Sequence, residues 1–377
     1  MRLIIAGGGT GGHVLPAVAV IEELRQRDLL EDLLWLGSSD GLERDAAAGI
    51  DVTFQAIPTG KLRRYISART AVDSLRIPAG IARAWLHVRR FQPTVVFSTG
   101  GFVSVPTVIA ASRLAPILTH EQTAILGLAT RINARSADLL AVSYEATRPL
   151  AQAHHAQVVV TGNPVRRSLS QGSAARGHAH WRFSPNLPVV YVTGGARGAS
   201  PLNQRIGALL PRVLPHCQIV HQTGPPSANN DAATLSDLRQ RLPEELRRRY
   251  QIVPFVRGEL ADTYAAASVV VSRSGAGTVA ELAFLGKPAI VIPLPGTGGD
   301  EQTQNARLLA DAGGAILLPQ DQATPDRLGE LLLQLLASEP ERNTMSLASA
   351  NLGQADAAAL LADELLALAT RARRQKR

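Results

Sequence analysis

A chain of 377 residues exceeds what one hydrophobic core usually serves, and 45% hydrophobic with 19% charged residues excludes a disordered chain, so two globular domains are expected. Its single cysteine, Cys217, excludes an intramolecular disulfide and a thiolate metal cluster; a buried strand thiol in a reducing cytoplasm is expected. A net charge of +8 asks for an anionic partner, but 4% aromatic residues and no zinc-finger or stacking motif argue against nucleic acid, leaving anionic lipid or a phosphorylated substrate.

The first residues enter a strand directly, without the pattern of a secretory signal, and no apolar run reaches the roughly 18 residues that span a bilayer. Apolar, β-branched runs predict strands at 2–6, 33–36, 94–98, 116–119, 139–142 and 157–161, with helices between them, such as 15–27 and 123–136. The first strand feeds a glycine-rich turn, RLIIAGGGTGGH at 2–13, which offers backbone N–H groups and a helix N-terminus to an anion. Its spacing also fits a dinucleotide fingerprint. The second strand, however, ends on Gly37, Ser38 and Ser39 with no acid to hold a ribose, which argues against a nicotinamide enzyme. Thr10 and His13 sit on this turn, and the helix dipole disfavours a cationic His13, suiting it to accept a proton or contact phosphate; a capping or packing role is the plain alternative.

Residues 61–90 carry Lys61, Arg63, Arg64, Arg69, Arg76, Arg83, Arg89 and Arg90 against Asp73, interleaved with Tyr65, Leu75, Ile77, Ile81 and Trp85. That mixture reads as an amphipathic surface for anionic lipid, or as an ordinary solvated helix with its apolar face in the core. Gly162, Asn163 and Pro164 then break the pattern, and a second α/β series follows, with strands near 188–193, 217–222, 251–255, 268–271, 289–293 and 314–318. It opens on a second glycine turn, VVYVTGGARGAS at 189–200, so two phosphate-handling domains facing one cleft are expected. The tail Arg371, Arg373, Arg374, Lys376 and Arg377 ends an Ala/Leu-rich helix and is often a functionless type of terminus.

The densest constellation lies at 273–305. A strand runs into Arg273, Ser274, Gly275, Ala276, Gly277 and Thr278, a turn that opens a helix carrying Glu281, whose carboxylate can accept from both hydroxyls of a ribose. The next strand delivers GTGGDEQTQNA, where Glu301, Gln302 and Asn305 offer partners to a sugar. Such clusters at strand C-terminal ends are where open α/β sheets bind ligands.

Taken in order, GGGTGGHVLPAVAV, STGGFVSVP, HEQTAILGLATR, TGNPVR, GGARGA, RSGAGTVAEL and DEQTQNA resemble the MurG family, the N-acetylglucosaminyltransferases of peptidoglycan synthesis, over nearly the full length. The resemblance implies the glycosyltransferase B fold: two Rossmann-like, doubly wound parallel-sheet domains facing a cleft. Residues 1–162 would bind acceptor and membrane, 163–345 would bind the UDP-sugar, and 346–377 would return as a helix to the N-terminal domain. It implies inverting transfer of N-acetylglucosamine from UDP-N-acetylglucosamine to the 4-hydroxyl of N-acetylmuramoyl-pentapeptide on a polyprenyl diphosphate (lipid I), by a peripheral enzyme on the cytoplasmic face of the membrane.

Carried onto this chain, Glu281 would bind the ribose, the backbone at Phe255 and Val256 the uracil, Arg273 and Ala276 would border the nucleotide-sugar, and Glu301 and Gln302 would address the sugar hydroxyls. Thr10, Gly11, Gly12 and Arg166 would also meet the donor, with Thr10 and Arg166 lining the acceptor side as well. Gly9, Gly100, Gly101, His120, Glu121 and Thr123 would line the acceptor side, with His13 as catalytic base or base-positioning group. Three positions depart from the family: Ala196 stands where serine is frequent and removes a hydroxyl from the second turn, Thr123 replaces asparagine, and Glu301 replaces glutamine or histidine. No Asp-x-Asp motif occurs, so helix dipoles with Arg273 or Arg197, and no metal or other cofactor, are expected to stabilise the departing UDP. The rival readings are a transferase for another lipid, such as diacylglycerol, a UDP-N-acetylglucosamine 2-epimerase, which needs carboxylates flanking the sugar, and a non-catalytic nucleotide-sugar module.

Overall fold

The computed structural model describes residues 1–60, 68–296 and 298–375. Lys61, Arg63, Arg64 and Tyr65 of the basic segment, and Lys376 and Arg377 of the tail, lie outside the described residues, as do the side chains of Arg69, Asp73, Leu75, Arg373 and Arg374. The chain divides into two compact units, one of Met1–Arg166 with Gln354–Arg377 and one of Arg167–Gly353.

In the first unit, seven described strands run in sequence as β1 (Arg2–Gly7), β2 (Asp32–Gly37), β3 (Thr53–Ala56), β4 (Val95–Gly100), β5 (Ile117–Glu121), β6 (Leu139–Val142) and β7 (Val158–Val160). They form one parallel sheet in the order β3-β2-β1-β4-β5-β6-β7. Both faces are covered, as a parallel sheet requires, and the two-residue period of β1 sorts its side chains between two cores. Leu3 and Ile5 pack with Val14, Val18 and Ile21 of α1 (Gly11–Gln26), whereas Ile4 and Ala6 pack with Ala84 and Val88 of α3 (Ala68–Phe91) and Val108 of α4 (Val105–Ala111). Two further helices of this unit are α2 (Leu42–Gly49) and α5 (Leu128–Ala134). The closing helix Ala357–Gln375 adds Leu361, Leu365 and Leu368 to the α1 face, and Arg27 of the α1 C-cap reaches its Asp363 at 2.6 Å.

The second unit repeats the plan with β8 (Val189–Thr193), β9 (Gln218–Gln222), β10 (Tyr250–Val253), β11 (Ala267–Ser272), β12 (Ala289–Val291) and β13 (Ala315–Leu317) in the parallel order β10-β9-β8-β11-β12-β13. Counted within this unit, that is 3-2-1-4-5-6, the doubly wound arrangement expected from the alternation of strands and helices. Val190 and Val192 face the helix Ser200–Val213 through Leu202 and Ile206, while Val189 and Tyr191 face Val279 and Leu282 of the helix Ala276–Leu285. Cys217 is fully buried immediately before β9, and burial pushes its thiol up to about 12.

Two elements differ from the sequence expectation. Strand β3 was not expected, because TFQA is a largely exposed edge with one large apolar residue and no alternating pattern. The helix expected over 123–136 begins only at Leu128, because Glu121 holds the preceding segment as a loop.

Candidate active site

Each sheet reverses its winding between its first and fourth strands, and the connections that leave there diverge to opposite faces. In the first unit β1 leads into α1 and β4 into α4, on different cores. In the second, β8 leads into Ser200–Val213 and β11 into Ala276–Leu285, again on different cores. The crevice outside such a switch point is the ligand position of open α/β sheets. Both glycine turns, Gly100–Gly101 and Arg273–Gly275 lie there.

The first turn is built around a carboxylate that sequence reasoning missed. Glu43 of α2 is fully buried and accepts hydrogen bonds from Gly9 N–H at 2.8 Å, Ser38 N–H at 2.8 Å and Ser38 Oγ at 2.5 Å. A Cβ on Gly8, Gly37 or Gly41 would collide with it, so three glycines make room for one side chain. Gly9, at φ +85°, thus gives its N–H to Glu43, which leaves the amides at the start of α1 as the ones the turn can offer to an anion. There Thr10 is exposed, with no capping bond from its hydroxyl, and the first turn holds no acidic residue. The amides of Gly11 and Gly12 lie in that same first turn, where helix N–H groups have no intrahelical acceptor.

His13 follows on α1, partly buried. Its Nδ1 lies 2.9 Å from Thr99 O and 3.0 Å from Gln122 Oε1, two acceptors, so Nδ1 carries the proton and Nε2 keeps its lone pair. The orientation of Gln122 is itself fixed, because its Nε2 donates to Thr99 O at 2.8 Å and His120 O at 3.2 Å. The same Nε2 lies 3.1 Å from His120 Nδ1, and His120 Nε2 donates to Gly162 O at 3.0 Å. One proton arrangement satisfies this whole chain. His120 is fully buried, and desolvation pushes it down to about 4, keeping it neutral. Gly100 and Gly101 have φ of +82° and +74°, and a Cβ on Gly101 would stand 2.9 Å from His13 Cδ2 and 3.2 Å from Nε2. The bare backbone there leaves the Nε2 edge accessible.

Glu121 and Thr123 serve the loop instead. Glu121 accepts from Thr123 Oγ1 at 2.9 Å, Thr123 N–H at 3.2 Å and Gly127 N–H at 2.9 Å, and Thr123 Oγ1 also bonds Ile125 O at 2.5 Å. Arg166 is half-buried near Glu22, whose carboxyl is raised by burial and partly drawn back by Arg166.

In the second unit, Gly195 and Gly198 of the glycine turn have φ of +80° and +71°, Ala196 is half-buried between them, and Arg197 is exposed. Gln222 buttresses the turn by donating to Gly195 O at 3.1 Å and accepting from Val256 N–H at 2.9 Å. The Val256 amide expected at a uracil is therefore engaged within the fold, while neighbouring Phe255 is exposed. Arg273 also differs from expectation. It is 5% exposed, and its guanidinium donates to Ile292 O and Pro293 O at 3.0 Å and to Gln320 Oε1 at 2.5 Å, so it braces the end of β12; burial lowers it to about 10. Ala276 begins a helix whose first turn lacks acidic residues, as does that of Ser200–Val213. Glu281, half-exposed one turn further on, accepts from the buried Tyr264 hydroxyl at 2.8 Å. The helix Glu301–Asp311 instead begins with carboxylates, Asp300 at its cap and Glu301. Gln302 Oε1 accepts from Leu294 N–H at 2.9 Å, and the buried Asn305 donates to Ser274 O at 3.3 Å, tying the two βα turns together. The arrangement offers two acid-free helix starts to a diphosphate and a group of carboxylates and amides to hydroxyls.

Comparisons with known proteins bear on the fold and the family. The glycosyltransferase family 28 N-terminal domain matches residues 3–142, and the glycosyltransferase family 28 C-terminal domain matches residues 189–361. The chain is 36% identical over 379 residues to the UDP-N-acetylglucosamine--N-acetylmuramyl-(pentapeptide) pyrophosphoryl-undecaprenol N-acetylglucosamine transferase of Treponema denticola, covering 96% of each chain. Among solved structures, the MurG of Acinetobacter baumannii matches with a TM-score of 0.72 and 25% identity, over 97% of this chain and 99% of that one. A putative UDP-N-acetylglucosamine 2-epimerase of Listeria monocytogenes matches with a TM-score of 0.66 over 95% and 93% of the chains, but at 14% identity it shares the fold alone.

Proposed function

The chain belongs to the MurG family of glycosyltransferase family 28, with the glycosyltransferase B fold, and on that premise we propose that it transfers N-acetylglucosamine from UDP-N-acetylglucosamine to the 4-hydroxyl of N-acetylmuramoyl-pentapeptide on undecaprenyl diphosphate. The observation that carries the chemistry is His13, held with its proton on Nδ1 and its Nε2 lone pair beside the bare backbone of Gly101. In this reading the unit containing Met1–Arg166 takes the acceptor, with its diphosphate at the start of α1, and Arg167–Gly353 takes the donor. His13 Nε2 accepts the proton of the 4-hydroxyl as its oxygen attacks the anomeric carbon, the bond to the UDP oxygen breaks, and the configuration inverts. Helix N-termini at Ser200 and Ala276, with Arg197, stabilise the charge growing on UDP, while Arg273 holds the frame. Glu281 addresses the ribose, and Glu301 and Gln302 the transferred sugar.

The acceptor's lipid also gives a reason for a membrane-facing surface. Among the described residues no helix is long and apolar enough to cross a bilayer. Exposed Trp85, Leu86 and Ile109 instead border an open apolar groove between α3 and α4, with Arg113 at its rim and Arg89 stacked 5.0 Å over Trp85. Burial, with Arg83 and Arg90 nearby, holds His87 below its ordinary range, a local sign of positive potential. We assign this groove to the anionic inner leaflet of the cytoplasmic membrane.

The reaction is tested with labelled UDP-N-acetylglucosamine and a short-chain lipid I analogue. Label should move to the lipid with inversion, and His13→Ala should lower kcat by at least about 100-fold, the usual worth of a general base. Near-normal turnover by His13→Ala at saturating substrate would remove its catalytic role, and recovery of an epimerised sugar in place of glycolipid would remove the reaction.

A further inference from the structure

We propose that the first isoprene units of the acceptor's lipid, those bonded to the diphosphate, lie in an apolar pocket among α3, α4 and α5, beside the first glycine turn. The inference rests on the acceptor assigned above and adds a binding subsite to it.

The pocket encloses about 170 Å³ and is lined by Ile77 of α3, Phe102, Val105 and Pro106 at the start of α4, and Leu128 and Ile132 of α5, with Gly60 and Ala129 completing it. Every lining residue is apolar. A cavity of that kind and of roughly 150 Å³ stays dry and takes a hydrocarbon of about six carbons, so the space suits an isoprene unit better than a sugar, a peptide carboxylate or a phosphate. Leu128 stands at its rim with 54% of its surface exposed, a large apolar side chain on the first turn of a helix and outside the core.

Position favours the lipid as occupant. Phe102, in the pocket wall, reaches within 3.3 Å of where a Cβ on Gly9 would stand, so the pocket adjoins the turn that leads into the anion-binding start of α1. The groove assigned to the membrane lies further along the same two helices. Ile77 lines the pocket and Pro78 the groove, while on α4 Pro106 lines the pocket and Ile109 the groove. Between pocket and groove the helices are packed tightly, since a Cβ on Gly80 would lie 2.1 Å from Pro58 O and 3.4 Å from Pro106 Cβ, so the two are separate features on neighbouring stretches of α3 and α4. The pocket thus lies next to the phosphate end of the acceptor, and a lipid seated in it would leave past the exposed Leu128 on its rim.

The test uses two water-soluble acceptors in the absence of membrane and detergent: a lipid I analogue carrying a geranyl diphosphate and one in which methyl replaces geranyl. The intact enzyme should have a KM about 10-fold lower for the geranyl acceptor, the size of effect expected from placing a few methylene groups in an apolar pocket. Ala129→Phe, which fills the pocket, and Leu128→Gln, which wets its rim, should each erase that preference while leaving the KM values for the methyl acceptor and for UDP-N-acetylglucosamine unchanged. The unchanged donor KM reports that each variant is folded. Equal KM values for the two acceptors with the intact enzyme, or an equal rise for both acceptors in the variants, would overturn the pocket assignment while leaving the transferase reading standing. No transfer to either acceptor by the intact enzyme would overturn that reading, and the pocket's occupant with it.

Discussion

Gln122 aims His13, and it was the residue least visible in the sequence. The motif HEQT drew attention to His120, Glu121 and Thr123, yet the two-residue period of a strand end sorts these side chains into pairs. His120 and Gln122 point toward His13, whereas Glu121 and Thr123 build the following loop. That period separates the neighbours of His13 from the residues that build the loop. Glu43 was hidden for a different reason: its role depends on three glycines from separate segments, and no local pattern brings them together. The same limit applies to Arg273, whose carbonyl partners come from the neighbouring strand's end. Replacing Gln122 with methionine keeps its volume and removes one of the two acceptors for His13 Nδ1–H. Thr99 O still holds that proton, so the tautomer survives while the ring loses its second anchor. Gln122→Met should therefore lower kcat by about 10- to 100-fold, as loss of a partner orienting a functional histidine does, with little change in either KM. A kcat within twofold of the parent in steady-state kinetics would show that Thr99 alone positions the ring.

At the scale of elements, the regular parts of the sheets were legible because their strands are buried on both faces and read as continuous apolar runs, as VVF of β4 and VVV of β11 do. What escaped was β3, recognisable only by pairing with β2, and the loop before α5, where a helical pattern yields to the Glu121 carboxylate. Helix α3 bears out the ordinary reading on one face and leaves an apolar flank exposed on another. Its Ala84 and Val88 are core, as in an ordinary amphipathic helix, yet Trp85 and Leu86 on the adjoining flank are 38% and 54% exposed with arginines around them. A solvated face alone would not keep two such side chains together in water. The protein should accordingly co-sediment with vesicles containing phosphatidylglycerol, bind less as salt rises, and bind neutral vesicles weakly. Trp85→Gln combined with Leu86→Gln should weaken binding to anionic vesicles by about 10-fold or more, from the lost apolar insertion. Unaltered binding by the double variant would move the docking surface elsewhere on the chain.

For the whole molecule, the two units share a chemical vulnerability, although it sits on non-equivalent strands, β5 in the first and β9 in the second. Each unit buries one neutral histidine in a hydrogen-bonded position, His120 in the first and His221 in the second. His221 Nε2 donates to Asn203 Oδ1 at 3.0 Å, and its Nδ1 lies 2.7 Å from the Tyr250 hydroxyl, which can donate to it when the ring is neutral. Burial lowers His120 to about 4 and His221 to about 3, from an ordinary 6.5. Both folded values lie below the unfolded one, so the unfolded chain binds more protons as pH falls. The stability these rings contribute is fully present above about pH 6.5 and is lost progressively toward pH 4 and 3, at about 1.4 kcal/mol per pH unit for each ring. Ordinary carboxylates remain largely ionised at about pH 5 and above, so a calorimetric series from pH 7 down to about 5 isolates the histidine contribution. The melting temperature should fall across that range. His221→Gln, with a side chain that does not titrate, should reduce the pH slope in the second unit while leaving the slope due to His120 in the first. Melting temperatures that stay level from pH 7 to 5 would show that the two rings titrate in the fold as they do in the unfolded chain, and the neutral His120 hydrogen-bonded between Gln122 and Gly162 could not then stand.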